Sequence, residues 1–379
     1  MKDLSRRLNP GILAIKPYEP GKTVSEAVLE EGTEKGAGDF VKLASNENPF
    51  GMSPRALEAL KRRAAEGFAY PEVTCREARL ALAEKIGVDP DAIIFGNGGD
   101  GLIYACAMSM IAEGDESIIP EVTFPYYEIA VRAMRGRVVF SRMKDLRIDL
   151  DDILSRLTKR TKMIWLANPN NPTGAVISRA DFAAFLDKVP EDVFLIYDEV
   201  YADFADKSEI PEALAVLRDG RDNLFVIRSF SKIYGLAGVR IGYGVGAPAL
   251  VNMMYRVRPP FDVSVLAQIA AVAALDDDEF YEKTIALNAS EKRFLYAELD
   301  RRSLPYIPTS SNFILIDAGR ANRELAAGLL RRGVIVRAPS HPFLKNRIRL
   351  TIGTRSQNER FLRALDQALG RKQAKTGAS

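Results

Sequence analysis

Between about residues 90 and 246 the chain alternates short β-branched apolar runs with longer helical patterns, and this alternation is what most restricts its fold. Runs of this kind are too short to form helices and too apolar to lie on one wet face. They predict strands buried on both sides in a largely parallel sheet with right-handed crossovers. The strand candidates are 92–96, 116–120, 137–141, 162–167, 193–198, 224–228 and 239–245, with helices between them. Thr74 with Glu77, Ser178 with Asp181 and Thr354 with Gln357 carry capping-box spacing at helix starts. After about residue 265 the pattern shifts to long helices, 264–275 and 278–301. Strand–helix–strand units follow near 312–317, 321–332, 334–337 and 347–352. The shift predicts three parts: an N-terminal arm over 1–44, a large domain over 45–265 and a smaller α+β domain over 266–379. Residues 22–40, rich in Glu and Gly, read as a mobile connector, and 370–379 as a frayed polar tail.

Several of the predicted strands run into loops with chemical content. The run ending at Phe95 leads into Gly96-Asn97-Gly98-Gly99-Asp100-Gly101, and that ending at Ala167 leads into Asn168-Pro169-Asn170-Asn171-Pro172-Thr173-Gly174. A third ends on Asp198, with Tyr201 three residues later, and a fourth leads into Ser229-Phe230-Ser231-Lys232, with Arg240 eight residues beyond the lysine. In an open α/β sheet, loops at the carboxyl ends of strands form the ligand crevice, so these motifs point to one site. A lysine amine can form an imine with an aldehyde cofactor such as pyridoxal phosphate (PLP), and Ser229, Ser231 and Arg240 are suited to holding its phosphate. The amides of Gly99 and Asp100 at a helix start add donors for a dianion. Asp198 would keep a pyridine nitrogen protonated, Asn171 and Tyr201 would reach the phenolic oxygen, and Phe124 would stack on a flat ring. Individually, a strand-end aspartate serves as well to cap the next element, and Phe124 serves as well as a core ring.

These motifs resemble the class I and II, fold-type-I PLP aminotransferases, and within them the histidinol-phosphate branch. The resemblance extends to Lys16-Pro17-Tyr18-Glu19-Pro20-Gly21-Lys22, Leu43-Ala44-Ser45-Asn46-Glu47-Asn48-Pro49-Phe50-Gly51, Tyr70-Pro71, Gly333-Val334-Ile335-Val336-Arg337 and Ile348-Arg349-Leu350-Thr351-Ile352-Gly353-Thr354. It implies that Lys232 bonds the cofactor and moves a proton between the substrate Cα and the cofactor C4′. Asp198, Tyr201, Asn171, Phe124, Ser229, Ser231, Arg240, Gly99 and Asp100 hold PLP, and Tyr70 of a partner subunit joins them at the phosphate. Arg349 receives the substrate carboxylate, while Arg337, with Tyr18 reaching across a homodimer, completes an anion site. The implied reaction passes the amino group of histidinol phosphate to 2-oxoglutarate. Aromatic amino-acid transamination, threonine-phosphate decarboxylation and a non-catalytic PLP-fold binding role stand as alternatives. Gly101 departs from the family pattern, which has an acidic residue there.

The 53 basic and 50 acidic residues give a net charge of +3, which offers no case for nucleic-acid or membrane partners. Two cysteines outside any Cys-x-x-Cys pattern, Cys75 and Cys106, imply a reduced compartment, and the one histidine, His341, leaves no metal-ligand cluster. No apolar stretch is long enough for a membrane span, and the N-terminus lacks a signal core, so a cytoplasmic location is expected.

Overall fold

The computed structural model describes residues 7–31 and 36–371. Its centre is a seven-stranded sheet of β1 (Ile93–Gly96), β2 (Glu116–Pro120), β3 (Arg137–Ser141), β4 (Thr161–Ala167), β5 (Phe194–Asp198), β6 (Leu224–Ser229) and β7 (Gly242–Gly246). The spatial order is β1-β7-β6-β5-β4-β2-β3, with β7 antiparallel to both its neighbours and every other pairing parallel. β1, β4, β5 and β6 therefore point the same way, and the loops that leave their carboxyl ends share one edge of the sheet. Strands β2 and β5 are buried almost throughout, with Glu116 of β2 paired to Arg160, and helices cover both faces.

The last predicted strand of this sheet starts late, at Gly242 instead of 239. Arg240 adopts a left-handed backbone (φ 63°) in the preceding turn and sends its guanidinium to Asp100, which delays the strand. Gly98 at the start of helix α1 (Gly98–Met110) has φ 69°, and a Cβ there would lie 2.4 Å from Arg240 Nη2. Only glycine fits.

Helices α2 (Val265–Leu275) and α3 (Asp278–Arg301) follow, with α2 packed on the helices Pro54–Arg63 and Arg76–Ile86. A three-stranded antiparallel sheet comprises Tyr306–Ile307, β8 (Phe313–Asp317) and β9 (Arg347–Thr351). Beside it, Val334–Val336 pairs in parallel with Val41–Leu43, so the N-terminal segment is built into the C-terminal elements.

Two local expectations are corrected. Much of 22–40 is ordered: Val24–Glu31 is a helix and Ala37–Asp39 a 3₁₀ turn, while 32–35 lie outside the described residues. Thr23 and Glu26 box the helix start, with Thr23 N–H donating to Glu26 Oε2 at 2.7 Å and Glu26 N–H to Thr23 Oγ at 3.2 Å. Ala27 anchors this helix in a cluster with Phe40, Ala44, Leu330 and Ile335. At Arg76–Ile86 the cap is not Thr74, because Cys75 is left-handed and the Glu72 carboxylate accepts from the Thr74 and Arg76 amides instead. Ser178 does accept from the Asp181 amide, and Gln357 from that of Thr354. Of the tail, 372–379 lie outside the described residues.

Gly101 sits in the first turns of α1 without a left-handed backbone, and a Cβ there would meet Asn97 Cβ at 3.5 Å, an ordinary contact. Gly101→Ala should therefore stabilise the protein by about 0.5–1 kcal/mol. A thermal scan should show a midpoint raised by roughly 1–2 °C, and a lowered midpoint would contradict this packing.

Candidate functional site

The loops at the shared strand edge enclose a cleft of about 240 Å³. It gathers Tyr18, Gly99, Asp100, Phe124, Asn171, Asp198, Tyr201, Ser229, Ser231, Lys232, Arg240, Arg337 and Arg349, which is every expected site residue except Tyr70.

Lys232 leaves β6 through a turn and donates from Nζ to the Ser45 carbonyl at 3.2 Å. Burial, with a smaller contribution from the Arg349 charge, lowers its pKa to about 8. Asp198 ends β5. Its Oδ2 accepts from the Tyr127 hydroxyl at 2.6 Å and its Oδ1 from the Val200 amide at 3.0 Å. Burial pushes this carboxylate up to about 6, because both of its donors are neutral. The Tyr201 hydroxyl accepts from Asn46 Nδ2 at 2.9 Å, and burial raises its pKa.

Arg240 pairs with Asp100 at 2.9 Å, beside the first turn of α1, and Ser229 Oγ accepts from the Ser231 amide at 3.1 Å. At the other end of the cleft, Arg349 on β9 donates to Asn171 Oδ1 at 2.7 Å and to the Ala44 carbonyl at 2.8 Å. Its Nε is buried without a partner, and burial lowers its pKa. Arg337 lies directly across the strand register from Arg349, their backbones exchanging hydrogen bonds of 3.1 and 2.8 Å.

The structure departs from the expected arrangement at Tyr18. Arg337 donates to the Pro20 carbonyl at 2.6 Å and to the Glu19 carbonyl, folding this segment over its own chain. Tyr18 then meets Phe124 edge-on, with ring centroids 6.2 Å apart, inside the same chain's cleft. Tyr70, in contrast, is 82% exposed and stacks on Phe261 outside the cleft at 4.6 Å.

Two polar contributors went unassigned in the sequence. Tyr127 stands in the Phe-Pro-Tyr-Tyr run, but only the turn of the helix Tyr126–Ala133 shows that it faces Asp198. Asn46 has a left-handed backbone (φ 56°), which asparagine tolerates well, and its place in the Asn46-Glu47-Asn48-Pro49 motif was the available signal.

The profile of the family described as aminotransferase class I and II matches residues 38–365. A histidinol-phosphate aminotransferase from Moorella thermoacetica is 43% identical over 94% of this chain and 92% of its own length. One from Caldicellulosiruptor saccharolyticus is 39% identical, covering 94% and 99%. The crystal structure of histidinol-phosphate aminotransferase from Sinorhizobium meliloti in complex with pyridoxal-5′-phosphate superposes with a TM-score of 0.88 at 26% identity, covering 96% of this chain and 98% of that one. The chain belongs to the class I and II aminotransferases, which are PLP enzymes of fold type I acting on small molecules.

A lysine whose folded pKa is depressed carries fewer protons in the folded than in the unfolded state between about 8 and the ordinary value near 10.4. Its amine is therefore largely neutral above pH 8, and in the cofactor-free protein this group adds stability as pH rises through that window. Acylation of Lys232 in the cofactor-free protein, followed by peptide mass spectrometry across pH, should show a midpoint near 8. A midpoint near that of ordinary lysines would contradict the burial argument.

Proposed function

We propose that this chain transfers the amino group of L-histidinol phosphate to 2-oxoglutarate, giving imidazole acetol phosphate and L-glutamate, a step of histidine biosynthesis. The cleft suits PLP on its donor set. Asp198 is a buried carboxylate with only neutral donors, the arrangement that a cationic ring nitrogen would complete. Arg240, Ser229, Ser231 and the amides of Gly99 and Asp100 form a cluster suited to a phosphate dianion. Asn171 and Tyr201 would take the phenolic oxygen, and Phe124 would cover the ring. When bound, the cofactor supplies an electron sink for the pair left when the substrate Cα–H bond breaks.

The protein's own part is to position groups and move protons. Lys232 Nζ, whose burial favours its neutral form, takes the Cα proton and later returns one. Tyr127 and the Val200 amide hold Asp198 in place and favour its ionised form. The cleft wall formed by Tyr18 and Phe124 limits the entry of water.

The observation that carries the substrate reading is the cross-strand pair Arg337 and Arg349 beside Tyr18. Arg349 alone suits a monoanionic carboxylate. A phosphate dianion on a longer arm calls for the second guanidinium and the tyrosine hydroxyl. Arg337→Ala should lower kcat/KM for histidinol phosphate about 10- to 100-fold more than for phenylalanine, the range expected for charged hydrogen bonds. Arg349→Ala should impair both donors. The reading fails if phenylalanine or tyrosine is the better donor and Arg337→Ala leaves that preference unchanged. Carbon dioxide release from threonine phosphate without a keto-acid acceptor would indicate a decarboxylase.

The division into an arm (1–44), a large domain (45–265) and a small domain (266–379) belongs to the same reading, as do a cytoplasmic location and a homodimer. No described helix is long and apolar enough to cross a membrane, and both cysteines are buried and free. Phe68, Tyr70 and Phe261 are exposed aromatics, with Tyr70 and Phe261 stacked together, and this supports a partner subunit that receives Tyr70 at its phosphate site. Mixing inactive Lys232→Ala with an inactive Tyr70→Ala variant should restore partial activity through one intact site per heterodimer. An active monomer in sedimentation would exclude a composite site.

A further inference from the structure

Lys232 borders two cavities. Behind the cleft, a second one of about 10 Å³ lies against Asn48, Thr284, Asn288 and Asn312. Asn288 on α3 and Asn312 just before β8 are both more than nine-tenths buried, and the side-chain oxygen of each is without a partner. Their orientation is fixed from the other end. Asn288 Nδ2 donates to the Ser311 carbonyl at 3.3 Å and Asn312 Nδ2 to the Asn46 carbonyl at 3.0 Å, so turning either amide would set oxygen against oxygen. Thr284 Oγ accepts from Asn48 Nδ2 at 3.2 Å, leaving its own hydrogen to donate.

The cavity is thus bordered by two orphaned acceptors and one available hydroxyl hydrogen, and about 10 Å³ is the space one water molecule needs. A water has two hydrogens to give and lone pairs to receive the third bond. A cation fits poorly: no carboxylate lines the cavity, the Lys232 chain forms part of its wall, and three neutral oxygens fall short of the coordination that sodium or potassium needs. We propose that this cavity is a binding site for a single structural water. It would donate to Asn288 Oδ1 and Asn312 Oδ1 and accept from Thr284.

The site buttresses two functional groups from behind. Asn312 holds the Asn46 carbonyl, and Asn46 Nδ2 holds the Tyr201 hydroxyl. Asn48, on the same cavity wall, donates to the Lys232 and Ile233 carbonyls at 3.2 and 3.0 Å. Fixing the two orphaned amides therefore restrains both the loop that orients Tyr201 and the turn that carries Lys232.

A crystal structure of the holoenzyme at atomic resolution tests the site directly. The expected result is a single peak about 2.7–3.0 Å from both amide oxygens, absent in Asn288→Leu and without anomalous signal after exchange into rubidium salts. No peak, or a rubidium signal, overturns the proposal. Hydrogen–deuterium exchange of the Asn288→Leu holoenzyme tests the buttress separately. Exchange should rise in segments 45–50 and 230–236 and stay unchanged in β2 and β3. An increase spread evenly over the chain, or no increase, overturns that role.

Discussion

Asp198 is a carboxylate that burial drives toward protonation, yet its surroundings are arranged for the charged form. Tyr127 and the Val200 amide each donate to one of its oxygens, and neither brings a charge. The resulting pKa of about 6 marks a group that gains from a cation placed beside it. Everything else in the cleft is arranged around that position. β5 delivers the aspartate to the sheet edge, β6 and its turn deliver Lys232 to the same edge, and α1 begins beside the Arg240 that follows. The parallel register makes this convergence unavoidable once the strands are in place.

The far end of the cleft depends on elements distant in sequence. Arg337 and Arg349 face each other because β9 runs against the segment that follows Val334–Val336, and Val334–Val336 in turn pairs with Val41–Leu43. The N-terminal strand thereby fixes the start of the 44–48 loop, whose Ala44 carbonyl and Asn46 side chain hold Arg349 and Tyr201. Arg337 also draws Glu19 and Pro20 over the opening, so one guanidinium both contributes charge and positions Tyr18. Three chain segments more than 300 residues apart at their extremes close a single anion-binding end.

Much of this was legible in the sequence for physical reasons. Short β-branched and apolar runs bounded by turn residues mark strands, so β2, β3 and β5 fell within a residue of their expected limits. Motif residues at strand ends were legible because loops there have little reason to be specific except for ligands. What could not be read depends on backbone conformation or tertiary contacts. The left-handed Arg240 delayed β7, the left-handed Cys75 moved a cap to Glu72, and a glutamate-rich stretch proved to be a helix because Ala27 had a partner surface in Phe40 and Ile335. Tyr127 lies three residues after Phe124, but its bond to Asp198 follows from a helix turn that spacing alone does not fix. Tyr18 folds back over its own chain because of a single arginine contact with two carbonyls.

The central claim is that Lys232, alone among the described lysines, stands where the cofactor aldehyde must bond while Asp198 faces the ring nitrogen. Borohydride reduction of the purified holoenzyme, followed by peptide mapping, measures this most directly. The account predicts that the cofactor is fixed to Lys232 Nζ and that Lys232→Ala abolishes both labelling and transamination while the protein remains folded. Labelling of a different lysine, or a Lys232→Ala protein that still transaminates, would contradict it.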